Sequence, residues 1–126
     1  VFMMSVLLLT VACNRVNHDG AVDGYWMVES IETKSDGSMR YPDRHMVCVQ
    51  LEIMQLRAPF MLASGEIMAY DKETGVMTVD FRSGSIEPEA LANYGIYENP
   101  VTFHVDADRK KLVLTTPTSV IKCKRY

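Results

Sequence analysis

The sequence predicts one all-β domain: a small antiparallel, up-and-down barrel of about seven or eight strands, with one short helical turn and an N-terminal signal segment. Three observations predict it. Apolar and polar residues alternate with period two over several short stretches. Clusters of Gly, Pro, Asp, Asn and Ser separate those stretches at near-regular spacing. Beyond the first dozen residues, no stretch carries the apolar period of a long amphipathic helix. Short strands expose edges that invite aggregation, and closing the sheet removes them. Tight turns between successive strands suit a meander. A barrel is therefore preferred to a sandwich.

The elements follow in order. Gly24 to Thr33 is the first strand, with Trp26 and Val28 on one face and Glu29 opposite. Lys34 to Ser38 holds the Asp-Gly signature of a tight hairpin. Pro42 limits the next piece to a short edge segment, since proline cannot donate to a ladder. His45 to Arg57 reads as one long strand in which Val47, Val49, Leu51 and Ile53 alternate with polar or softer residues. Phe60 to Tyr70 is another strand, and Gly65 near its middle marks a candidate bulge. Asp71 to Gly75 is a hairpin loop, after which Met77, Val79 and Phe81 face inward. Pro88 to Gly95 predicts a helical turn or two, with Pro at the start and Gly past the end. Three strands close the domain: Val101 to Asp106, Lys111 to Thr115 and Ser119 to Lys124.

Composition bounds the function. The 126 residues are 48% hydrophobic and 23% charged, a globular balance for a single domain. A net charge of −3 lacks the basic footprint of a nucleic-acid binder, so no nucleic-acid partner is expected. Nine Met side chains suit an irregularly packed core. His18, His45 and His104 share no ligand spacing, so they read as surface residues and no metal is expected. Glu87 and Glu89 flank Pro88, where the helix dipole alone accounts for acidic residues. Ser64-Gly65 and Ser83-Gly84-Ser85 lack the Gly-x-Ser-x-Gly elbow. Neither catalytic residues nor a cofactor are expected.

Residues 1–12 are uncharged and apolar, too short for a bilayer core that takes roughly 20 residues. They fit the apolar middle of a secretory signal, whose basic start would precede Val1. Leu9-Thr10-Val11-Ala12-Cys13 resembles a bacterial lipobox, with Thr10 where that pattern prefers Leu. The resemblance implies lipidation of Cys13, by palmitate-like acyl chains, and loss of the first 12 residues, leaving 114. Several acyl chains would anchor the protein stably. Residues 13–22 then form the lipidated Cys and a polar tether, and residues 23–126 form the barrel domain. Asn14, rather than Asp, follows the Cys, which implies an outer-membrane lipoprotein of the cell envelope. Cys48 and Cys123 remain. Alternation places them on opposite faces, which argues against a disulfide.

Gly24-Tyr25-Trp26 is similar to the Gly-x-Trp feature of lipocalins. With Gly75 to Phe81, the ending Lys111 to Tyr126 and the lipobox, the chain resembles the small lipocalin-like lipoproteins of Bacteroidetes-type bacteria. The resemblance implies that Trp26 packs across a closed barrel end and that Arg125 stacks on it. The candidate ligand-lining residues are Trp26, Val28, Val49, Leu51, Val79, Phe81, Phe103, Leu112 and Leu114, with Tyr94 and Tyr97 as a lid. An eight-stranded interior either fills with side chains or holds one small ligand. The expected function is a membrane-anchored binding module for a small apolar ligand or an envelope protein. The alternative is an accessory lipoprotein with a filled core that docks onto an envelope complex.

Overall fold

A computed structural model describes residues 20–81 and 88–126. The apolar segment, Cys13, most of the tether, His18, Glu87 and Ser83-Gly84-Ser85 lie outside the described residues. After a 3-10 turn at Gly20–Val22 come β1 (Gly24–Thr33), β2 (Met39–Arg40), β3 (Met46–Gln50), β4 (Ile53–Ala58), β5 (Met61–Asp71) and β6 (Val76–Asp80). The helix α1 (Pro88–Asn93) precedes β7 (Val101–Ala107), β8 (Lys111–Thr115) and β9 (Ser119–Arg125).

Eight strands, β1 and β3 to β9, pair antiparallel in chain order, and β9 closes onto β1 from Trp26↔Arg125 to Thr33↔Ser119. The two-residue β2 is an extra strand against the second half of β1. This is the all-β closed barrel that alternation and turn spacing predict. Its core spans both halves of the chain and includes Trp26, Phe81, Tyr94 and Phe103. Among the described residues no helix is long and apolar enough to cross a membrane.

Three local features depart from the sequence reading. His45 to Arg57 is two strands, not one. Gln50 pairs with Ile53 around a two-residue loop in which Leu51 and Glu52 both take positive φ, 49° and 66°. That is the twist-matched hairpin geometry normally signalled by Asn-Gly. With no such signature the turn is silent in the sequence. It also reverses parity: Met54 and Leu56 are buried, while Leu51 is 63% exposed. In β5 the register slips between Ile67 and Ala69 rather than at Gly65. Gly65 instead faces inward, where a Cβ would come within 2.7 Å of both Phe81 and Val79 side chains. In β1 a slip between Val28 and Ser30 moves the inward position on to Ile31.

Candidate functional site: the barrel interior and its two ends

The closed end is built on the first and last strands. Trp26 is fully buried, and its indole N–H donates to the Val22 carbonyl at 2.8 Å. Arg125 lies over the ring, with its guanidinium carbon 3.9 Å from the centroid. The same guanidinium donates to the carbonyls of Asp23 (2.6 Å), Ala21 (3.2 Å) and Arg109 (3.2 Å). Its fixed fork of donors suits several acceptors at once, as a lysine would not. Gly24 carries φ +125°, and a Cβ there would sit 2.5 Å from an Arg125 guanidinium nitrogen. Glycine in Gly24-Tyr25-Trp26 thus makes room for the arginine that covers the tryptophan.

The opposite end, the mouth, is stopped by α1 and the segment after it. Pro88 opens the helix and Gly95, at φ +73°, follows it, as the sequence predicts. Leu91, Tyr94 and Ile96 turn into the core. The Tyr94 hydroxyl lies against the carbonyls of Arg57 and, at 3.2 Å, Met46, at the strand ends. Burial pushes its pKa well above the usual phenol value, and the nearby Cys123 adds to the shift. Polar clasps hold the stopper: Arg40 donates to the Asn93 carbonyl (2.6 Å), His45 Nε2 pairs with Asn93 Oδ1 (2.8 Å), and Thr118 Oγ1 donates to the Gly95 carbonyl (2.5 Å). His45 also packs its ring on Tyr94, with centroids 5.3 Å apart. His45 is buried, not the surface residue its lone position implies, whereas His104 is exposed. The mouth contact explains the burial.

Between the ends the barrel is packed. Of the predicted lining residues, Trp26, Val49, Val79, Phe81, Tyr94, Phe103, Leu112 and Leu114 are 0% exposed, and Val28 is nearly so. A side chain without accessible surface has no water-sized space beside it. Leu51 sits on the silent hairpin, and Tyr97 is 74% exposed outside the mouth, so neither lines the interior. The interior also contains Ile31, Met54, Leu56 and Ile96, which sequence reading missed. The first three lie beyond a bulge or turn that shifts parity, and Ile96 lies outside any strand.

Cys48 and Cys123 are free thiols on opposite faces, as alternation predicts. Cys123 belongs to the core, and burial pushes its thiol up to about 12. Cys48 pairs in register with Tyr25 and Gln55 and floors a shallow outer depression of about 260 Å³ bordered by Leu51, Ile53 and Arg57. Burial also raises its pKa, against a smaller opposing effect of Arg57. Other outer depressions open beside His104 and Lys72 at the closed end and beside Tyr97 and Pro117 at the mouth. Among the described residues no group of three or more His, Cys, Asp or Glu could hold a metal.

Known proteins match this architecture. Residues 7–126 match the family model described as lipocalin-like domain. A lipocalin-like protein from Bacteroides uniformis superposes with a TM-score of 0.61 at 16% identity, covering 85% of this chain and 100% of its own. An uncharacterized protein from Bacteroides eggerthii gives 0.60 at 15%, covering 82% and 98%. No curated protein matches the chain. The fold is of a kind suited to binding small hydrophobic molecules. A closed eight-stranded barrel, a Gly-x-Trp strand capped by a C-terminal arginine, and a family match over nearly the whole length lead to one conclusion: the chain belongs to the lipocalin-like domain family.

Proposed function

We propose that this protein is a lipid-anchored envelope lipoprotein that binds a small apolar molecule inside the mouth of its barrel, in the space now held by Tyr94 and its neighbours. One observation carries the reading. The stopper over the mouth joins no β ladder and is fastened by a few polar clasps and four buried side chains, Ala90, Leu91, Tyr94 and Ile96. A segment held this way opens at lower free energy than paired strands. Once displaced, it exposes Phe81, Phe103 and Leu114 in a site of the apolar character that small ligands favour. Binding therefore requires opening, and part of the binding free energy is spent on it.

The test uses the chain from Asn14 to Tyr126 and a fluorescent hydrophobic probe, together with native mass spectrometry for a co-purified lipid. The Tyr94→Ala variant should bind the probe more tightly than wild type. An equally weak response from both would end the interior-site reading. For the anchor, Cys13→Ser should release the protein from membranes in cell fractionation. A variant that stays with the membrane would refute lipidation there.

A second reading has its own observation. The interior is sealed, while Leu51, Ile53, Phe60, Leu62 and Met68 expose large apolar groups on the β4–β5 side of the outer wall. A solid barrel that docks an envelope protein through that wall fits these facts. It predicts no probe binding and the loss of a co-purifying envelope protein in Phe60→Asp.

A further inference from the structure

We infer that the β7–β8 turn and the adjoining strands β8 and β9 at the closed end form a contact surface for an anionic phospholipid headgroup layer, which sets how the barrel sits on its membrane. The overall charge is −3, yet Arg109 and Lys110 in the β7–β8 turn, Lys111 on β8, and Lys122 and Lys124 on β9 gather on one side of the barrel, all exposed. Lys111 and Lys124 stand directly opposite each other in the ladder. Like charges across a rung destabilise a sheet, so the fold gains nothing from setting these two lysines opposite each other. Among the described residues no side-chain ion pair joins the five. Asp108 lies in the same turn; one of its oxygens accepts the backbone N–H groups of Lys110 and Lys111, and the Lys111 and Lys110 charges add a smaller effect that also favours its carboxylate. Asp106 and Glu29 are the other carboxylates on this side. Across the same end, the β3–β4 and β5–β6 turns present Glu52, Asp71 and Glu73 around one cation, Lys72, a net acidic set. The closed end thus has a basic side and an acidic side.

This basic surface also adjoins the point where the tether meets the barrel. Arg125 binds the Ala21 carbonyl at that point and the Arg109 carbonyl in the β7–β8 turn. Only six residues, Asn14 to Asp19, separate Cys13 from Gly20. Their extended reach is about 25 Å. A lipid on Cys13 would therefore hold this end against the bilayer, within a few Debye lengths of the headgroups. The membrane orientation rests on the anchor reading; the lipid contact itself does not.

The experiment is sedimentation of the unlipidated chain, Asn14 to Tyr126, with vesicles of phosphatidylcholine alone or with one third phosphatidylglycerol. The mixed vesicles should bind the chain at low salt and release it at 1 M salt, where screening is nearly complete. Removing two cations in Lys111→Gln/Lys124→Gln should weaken partitioning by about 30-fold without lowering the unfolding midpoint. Arg44→Gln, near the mouth, should leave partitioning unchanged. Equal binding to both vesicle types, or a double variant that partitions like wild type, overturns the proposal. A failed Cys13→Ser release would refute the anchor and leave the vesicle result standing.

Discussion

Replacing Arg125 by Ala should unlock the closed end, and the structure sets the size of the loss. The guanidinium stacks on Trp26 at 3.9 Å, a contact worth about 1 kcal/mol. Its bond to the Asp23 carbonyl, 2.6 Å and part-buried, is charge-assisted and worth about 1.5–3 kcal/mol. The bonds to Ala21 and Arg109 are exposed and longer, and contribute about 0.5 kcal/mol each. Truncation should therefore cost about 3.5–5 kcal/mol, a large share of the roughly 5–15 kcal/mol that holds a domain folded. Arg125→Lys keeps a charge over the ring but loses the fork, so it should forfeit about half as much. Trp26 is the chain's one tryptophan, so urea unfolding followed by its fluorescence reports from the altered site. An Arg125→Ala protein within about 0.5 kcal/mol of wild type would refute the reasoning. A lysine variant as costly as alanine would show that the planar fork alone, and not charge over the ring, carries the effect.

Other predictions concern the core and its ends. Gly65→Ala should destabilise by about 1–3 kcal/mol through overpacking, and Phe81→Leu in the same chain should recover part of that, as a double-mutant cycle would measure. Tyr94→Phe should cost about 1 kcal/mol by leaving two strand-end carbonyls without their donor; a neutral result in denaturant titration would remove the hydroxyl from the stopper. The Cys123 thiol, raised from 9.0 to about 12 by burial and then by Glu29, keeps its proton in the folded chain after the unfolded chain has released it. Stability from this group is whole below about pH 9 and falls as pH rises toward 12. Cys48 and Tyr94 act in the same direction, so the decline should be shallower, not absent, in Cys123→Ala. Equal slopes for the two proteins would contradict the assignment. Both thiols should resist iodoacetamide at pH 8 until the chain is unfolded, which mass spectrometry of the alkylated protein would show.

Much of this was legible in the chain because strand periodicity is local. Val101, Phe103 and Val105, or Leu112 and Leu114, declare their inward face within a few residues, and all are buried. The Pro88 to Gly95 helical turn was equally plain, since proline and glycine restrict or free φ whatever surrounds them. The Trp26–Arg125 stack follows from a family resemblance rather than from spacing. Those two residues are joined only when the last strand closes on the first.

What the sequence determined by itself was the fold class, the alternating interior of most strands, and opposite faces for Cys48 and Cys123. Tertiary structure alone decided where the alternation breaks. Leu51 and Glu52 have no special sequence signature, and packing of Met54 and Leu56 forces them into left-handed φ. The bulges in β1 and β5 are likewise set by neighbouring strands, because a one-residue slip exchanges the two faces of a strand. Tertiary structure also decided that the interior is full. Whether nine apolar side chains leave a cavity depends on how closely opposite walls approach and on what stops the mouth. Those are distances between residues far apart in the chain, to which local periodicity is blind.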